Sequence, residues 1–304
     1  MLSINTNNAS MAAVNAINKS NASLSTSMER LATGNRINSS ADDAAGKQIA
    51  NRLSAQSSGM GVALSNIQDA TAMLQTADST FDEMTDVLGR MQDLSTQAAN
   101  GTYSDDDLQA MQDEYDELGQ QMSDMLQNTT YGGTNLFGDS TTSNTGKNGL
   151  FTSGVTFQVG AESSDTMTVD ISTQLSDLTG ALGQVSASFT ADQADTTGTA
   201  PLTGGTELTA SGSANGMIGT IQTAMDDVSK IQSKLGASIN RLNDTANNLT
   251  SMQDNTEVAI GNIMDTDYAT EASNMTKQQV LMQTGITMLK QSNSMSSMVS
   301  SLLQ

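Results

Sequence analysis

Apolar and small residues recur at alternating steps of four and three along much of this chain. One seam runs Met217, Ile221, Ala224, Val228, Ile231, Leu235, Ser238, Leu242, Thr245, Leu249, Met252, Thr256, Ala259, Ile263. A second runs Met60, Ala63, Ile67, Ala70, Leu74, Ala77, Phe81, Met84, Leu88, Met91, and a third Leu108, Met111, Tyr115, Leu118, Met122, Met125. A spacing held over so many turns predicts helices that pair along their lengths, a rod rather than a ball. Helices are expected over 45–99, ended by Asn100-Gly101, over 105–128, and over 215–263. At the usual rise per residue the first would be about 80 Å long.

The two ends of the chain are patterned more thinly. Residues 1–32 carry Ile4, Met11, Val14, Ile17, Leu24, Met28 and Leu31 among Asn, Ser and Ala. So narrow a stripe makes a helix that is marginal alone and needs a partner. Gly34 is placed to stop it, within the turn-forming run 33–46. From Tyr268 onward two heptad tracks lie side by side: Tyr268, Met275, Met282, Leu289, and Leu281, Met288, Met295, Leu302. The polar face of this last helix is Ser, Asn and Gln rather than Lys and Arg, which favours a partner helix over anionic lipid. If the chain doubles back midway, both thin helices meet at one tip. The burial they lack can then come only from other copies.

Between about 128 and 215 the texture changes to Gly, Thr, Ser and Asn. Val155, Phe157 and Val159 alternate, as do Met167, Val169 and Ile171, and GAESSD lies between them; this predicts a β-hairpin. Residues 183–214 are poor in apolar groups, hold the single proline, Pro201, and read as a surface loop or a very small lobe.

Composition removes several functions. The 304 residues include no Cys, His or Trp and only 3% aromatics, so burial must come from Leu, Ile, Val, Ala and 20 adaptable Met. Disulfides, zinc sites and Ser-His or Cys-His nucleophile systems are excluded. No carboxylate pair stands out from the surface charge, and neither an enzymatic activity nor a cofactor is expected. A net charge of −21 makes nucleic acid and anionic membranes poor partners. Between Asp78 and Asp139 the only base is Arg90, which reads as a solvated, repulsive face. Asp105-Asp106-Asp107 lack the glycine-containing loop and terminal Glu of a calcium site. Ser104 as helix N-cap, with three Asp in the first turn, explains them better. The N-terminus has no early positive cluster or apolar block, and no segment is apolar enough to span a bilayer, so export, if any, needs no cleaved signal.

Several motifs resemble those of bacterial flagellins. The opening Ile4-Asn5-Thr6-Asn7 looks like the start of that family, and STSMERLATGNRINSSADDAAG, residues 25–46, is similar to its most recognisable segment. Ile49-Ala50-Asn51-Arg52, QAANGTYSDDDL at 97–108 and Gln112-Asp113-Glu114 continue the likeness. In the second half Leu235-Gly236-Ala237, Asn247-Asn248-Leu249-Thr250, Asp267-Tyr268-Ala269-Thr270-Glu271 and Leu302-Leu303 carry it. The match covers about 1–180 and 212–304, and the ATGNRIN variant leans toward lateral, swarming-type members.

The resemblance implies a mainly α fold, a long antiparallel coiled-coil rod with a small β-hairpin region and a short variable insert. It implies inner tube-forming helices at 1–33 and 271–304, connectors at 34–46 and 264–270, a helical rod at 47–182 and 212–263, and a surface segment at 183–211. Tube assembly would fall to Ile17, Leu24, Leu31, Met282, Met288, Leu289, Met295, Leu302 and Leu303. The connector would rest on Asn35, Arg36, Ile37, Asn38, Asp42, Asp43 and Gly46. The implied function is a secreted, extracellular subunit that is exported unfolded by the flagellar type III apparatus and polymerises into the flagellar filament. The implied partners are other copies, cap and junction proteins, and an export chaperone docked on the C-terminal helix. A host Toll-like receptor would be met by Arg90, Leu94 and Glu114, with Arg90 and Leu94 on one helix face. A hook–filament junction protein shares the terminal helices and is the alternative; likeness in the middle of the rod favours the filament. A filament-borne enzyme is disfavoured by the short insert and the lack of His.

Overall fold

The computed structural model describes residues 7–138, 149–189, 205–209 and 213–302. They form two compact units, one of residues 1–58 and 252–304, the other of residues 59–251.

In the first unit, α1 (Asn8–Thr33) and α6 (Tyr268–Leu302) pack against each other antiparallel. The Asn7 side chain caps α1 by accepting from the Ser10 N–H at 3.1 Å. Gly34, at φ 75°, ends it in the left-handed conformation that only glycine adopts readily, and its N–H donates to the Arg30 carbonyl. Asp267, just before α6, accepts from the Ala269 and Thr270 N–H groups and the Thr270 hydroxyl. Those bonds hold its carboxyl below the usual range, the Thr270 hydroxyl contributing most.

The second unit holds most of α2 (Ala44–Ala98) and of α5 (Ser213–Met264), with α3 (Asp105–Asn128) and α4 (Ser172–Val185). Asp43 accepts from the Gly46 N–H at the start of α2, which then runs 55 residues without a proline. Ser104 and Asp107 form a reciprocal capping box on α3, with Asp105 and Asp106 beside them as expected of a helix start. All ten residues of the 60–91 seam are buried, as are Ile221, Ala224, Val228, Ile231, Leu235 and Leu242 of α5. The α5 seam opens toward its end: Met252 is exposed.

Strands β3 (Val155–Gln158) and β4 (Thr166–Val169) pair antiparallel, Val155 opposite Val169 and Phe157 opposite Met167, around the predicted turn. A smaller hairpin, β1 (Thr130–Tyr131) with β2 (Thr134–Asn135), and α4 lie in the stretch read from sequence as irregular. Gly132 and Gly133 both have positive φ, as a two-residue hairpin turn needs. Sparse as aromatics are, three phenylalanines cluster: the Phe81 and Phe137 ring centres are 4.9 Å apart, edge to face, and Phe137 stacks on Phe151 at 6.0 Å.

Candidate assembly surface

The α1–α6 pair meets through apolar residues that alternate with small and polar ones. On α1 the covered positions include Ser10, Ala13, Ile17, Ser20, Leu24, Ser27 and Leu31; on α6 they include Glu271, Met275, Gln278, Met282, Gly285 and Leu289. Asn7 donates to the Ser292 hydroxyl at 3.0 Å and Ser10 to the Asn293 side chain at 3.2 Å. At the other end the Tyr268 hydroxyl donates to the Leu31 carbonyl at 3.1 Å, and Arg30 lies 3.9 Å from the buried Glu271 carboxylate.

The residues expected to build the tube divide into two groups. Ile17, Leu24, Leu31, Met282 and Leu289 face the partner helix of the same chain. Met288 and Met295 do not: they are 63% and 59% exposed, on the track one residue, about 100°, round the helix. Leu281, Val280, Ile286 and Met298 on α6 are exposed with them, as are Met11, Val14 and Met28 on α1. The Leu302 side chain, all of Leu303, and Ile4 of the N-terminal stripe lie outside what is described.

The connectors clasp each other. Asn35 and Asp265 form an antiparallel bridge. The Arg36 N–H donates to the Met264 carbonyl at 2.6 Å, the Thr266 N–H to the Gly34 carbonyl at 2.9 Å, and the Arg36 guanidinium to the Ile263 carbonyl at 2.7 Å. Asp42 accepts from the Asn38 and Ser39 N–H groups and the Ser39 hydroxyl. Those bonds hold its carboxyl low, the Ser39 N–H first among them. Ile37 is buried, and a side chain on Gly46 would meet its Cδ1 at 2.8 Å. Sequence reading named these connector residues but not the pairing of the two segments, because a single backbone bridge leaves no apolar pattern.

Charge is divided unevenly. Residues 1–58 and 252–304 carry seven Lys/Arg and eight Asp/Glu, a net −1; residues 59–251 carry five and 25, a net −20. The net acidic excess of the chain therefore lies almost wholly outside the unit with the uncovered apolar track.

The receptor candidates are brought together only in part. Arg90 donates through Nε and Nη2 to Glu114 Oε1 at 2.9 and 2.7 Å, an exposed pair. Leu94 is 3% exposed and belongs to the core. Arg90, one turn before it, is exposed. The 40° between positions i and i+4 is enough to turn Leu94 into the seam of Met91 and Ala98.

The segment 183–211, expected to be free surface, is anchored at both described ends. Val185, Ser186, Ser188, Phe189 and Leu208 are buried. The Gln112 amide donates to Asp116 at 2.9 Å and to Glu207 at 2.8 Å, while its oxygen accepts from the Leu208 N–H at 2.7 Å. Asp116 also accepts from the Gly205 N–H, and Glu207 from the Ala187 N–H. Tyr115 donates to the Val185 carbonyl at 2.9 Å, and burial pushes its phenol up. Pro201 lies outside the described residues.

No helix among the described residues is long and apolar enough to cross a membrane. The paired terminal helices thus leave an apolar track uncovered on a near-neutral unit. Residues 4–142 match the bacterial flagellin N-terminal helical region and residues 218–303 the bacterial flagellin C-terminal helical region. The chain is 31% identical to Flagellin A of Vibrio anguillarum over 377 aligned residues, and 31% identical to Flagellin A of Vibrio cholerae over 391, each covering all of both chains. Polar flagellin F of Vibrio parahaemolyticus is 29% identical, over 95% of this chain and 96% of that one. The chain belongs to the bacterial flagellin family and is a subunit of the extracellular flagellar filament.

Among solved structures, Bacillus cereus flagellin aligns over 64% of this chain and 94% of its own at 28% identity, with a TM-score of 0.46. A putative flagellar hook-associated protein from Vibrio parahaemolyticus shares the fold over 74% of this chain and all of its own, at 16% identity and a TM-score of 0.52.

Proposed function

We propose that this chain polymerises by burying the outward track of α1 and α6 against the same helices of neighbouring copies. The observation that carries this reading is the exposure of Met288 and Met295 on a helix whose other track is already covered by α1. Residues 1–33 and 271–304 would form the inner tube, 34–46 and 264–270 would join it to the helical rod at 47–182 and 212–263, and 183–211 would face outward. Met295→Asp would place an unpaired charge in a sealed contact, at a cost of about 3–5 kcal/mol. The purified variant should stay monomeric under conditions where the wild type grows micrometre-long fibres by negative-stain microscopy. Fibres of normal length from Met295→Asp would refute the placement.

The function needs no catalysis or cofactor: the energy comes from burial of surface between copies. Polymer length separates it from the junction-protein alternative, which would stop at a short ring. Before assembly the exposed track of α6 is the docking face for an export chaperone. Removing residues 265–304 should abolish its capture in a pull-down. The filament's ends would meet cap and junction proteins. The ATGNRIN run is the one feature that favours a lateral flagellum.

A further inference from the structure

We infer that Gly285 sets the register of the α1–α6 pair and thereby determines which composite apolar surface the subunit presents for assembly. This rests on the polymerisation reading above. On the facing surfaces Ile17, Leu24 and Leu31 alternate with Ala13, Ser20 and Ser27, and Met275, Met282 and Leu289 alternate with Glu271, Gln278 and Gly285. Such an alternation repeats every seven residues, so by itself it does not distinguish registers one heptad apart. One contact is not interchangeable. Gly285 is the only glycine in either helix. A Cβ built on it would lie 2.8 Å from Ile17 Cγ1 and 3.5 Å from its Cδ1. Ile17 is β-branched and, in a helix, is held to one dominant rotamer, so its Cγ1 cannot swing away. The Ile17 side chain therefore seats against bare backbone at the one place on α6 that accepts it.

The polar pairs at the two ends, Asn7 and Ser10 with Ser292 and Asn293, and Tyr268 with the Leu31 carbonyl, are satisfied only in this same register. A slip by one heptad would move α6 about 10 Å along α1. Met288 and Met295 would travel with it relative to Met11, Val14 and Met28. A neighbouring copy would then meet a differently shaped surface.

The test uses the full chain and compares Gly285→Ala in two backgrounds, wild type and Ile17→Ala, by the critical concentration for seeded polymerisation. Helix propensity alone favours alanine over glycine, so by that effect Gly285→Ala would assemble better. Loss of the seat for Ile17 predicts the reverse. The critical concentration should rise about tenfold in the wild-type background and change less than about twofold when Ile17 is already alanine, as for any directly coupled pair. An unchanged or lower critical concentration in the wild-type background would overturn the inference, as would an equal rise in both.

A second readout exploits the absence of cysteine from the chain. A Ser10→Cys/Asn293→Cys pair should oxidise to a disulfide within one subunit, and adding Gly285→Ala should cut the yield severalfold. Undiminished crosslinking would sink the register assignment even if assembly is impaired. Failure of the wild type to polymerise would instead count against the assembly reading itself.

Discussion

Gln112 is the residue whose loss should most cleanly separate the anchored stems of the 183–211 segment from the chain between them. It is fully buried on α3 and makes three hydrogen bonds, two as donor to the Asp116 and Glu207 carboxylates and one as acceptor from the Leu208 N–H. Gln112→Met keeps most of the volume and removes all three. A hydrogen bond to a charged group contributes about 1.5–3 kcal/mol, and a buried N–H left without a partner costs about 1–3 kcal/mol. These do not add, and Glu207 is only half-buried, so water recovers part of its share. The expected loss is about 3 kcal/mol. For a unit of this size that corresponds to a fall in melting temperature of roughly 6–12 °C. The matched control replaces residues 190–204 by a Gly-Ser linker of equal length, which spares both stems and should cost less than about 1 kcal/mol. Thermal unfolding of the monomer followed by circular dichroism measures both. A Gln112→Met protein as stable as wild type, or a linker variant as damaged as Gln112→Met, would refute the reasoning.

Other outcomes can be checked in the same preparations. Since nearly all the net charge lies in residues 59–251, like-charge repulsion between copies should arise there and be screened over about 8–10 Å near physiological salt. Seeded growth should accelerate as salt rises from low values, and slower growth would contradict this. The carboxyls of Asp42 and Asp267 are held below 3.8 in the folded chain. Their stabilisation is present above that unfolded value and is lost as pH falls through the lower folded one. Asp267→Asn should therefore flatten the loss of helical signal below about pH 4, and an unchanged acid transition would remove Asp267 from the cause. In a Toll-like receptor reporter assay on monomer, Arg90→Ala should reduce signalling because Arg90 and Glu114 are at the surface. Leu94→Ala should act only through lost core packing, seen as a parallel fall in stability. Equal signalling from wild type and Arg90→Ala would refute the surface assignment.

Much of this architecture was legible in the spacing of apolar residues. The seam from Met60 to Met91 and the hairpin around GAESSD were readable because each buries one face with a fixed period. Helix α4 was hidden by the Gly, Ser and Thr around it, although Leu175, Leu178, Leu182 and Val185 already had helical spacing. The Gly132-Gly133 turn was also present as a signal, but two-residue strands are too short to alternate. The buried Gln112 and Asp116 could not be found this way: polar residues on an acidic helix look solvated until the chain some 95 residues away, with Glu207, closes over them. The burial of Leu94 was not legible from its pairing with Arg90, because helical adjacency to an exposed Arg says nothing about which side of the seam the next turn falls.

Five methionines, Met11, Met28, Met288, Met295 and Met298, stand exposed on the terminal helices before any neighbour arrives. Thioethers are the side chains in this chain most easily altered by peroxide, and each sulfoxide turns an apolar contact into a polar one. On the assembly proposed above, the free subunit is chemically perishable on the surface it needs most, whereas a subunit covered by its neighbours is sheltered there. An oxidative burst meeting such a population would poison growth of the polymer while leaving finished lengths of it intact.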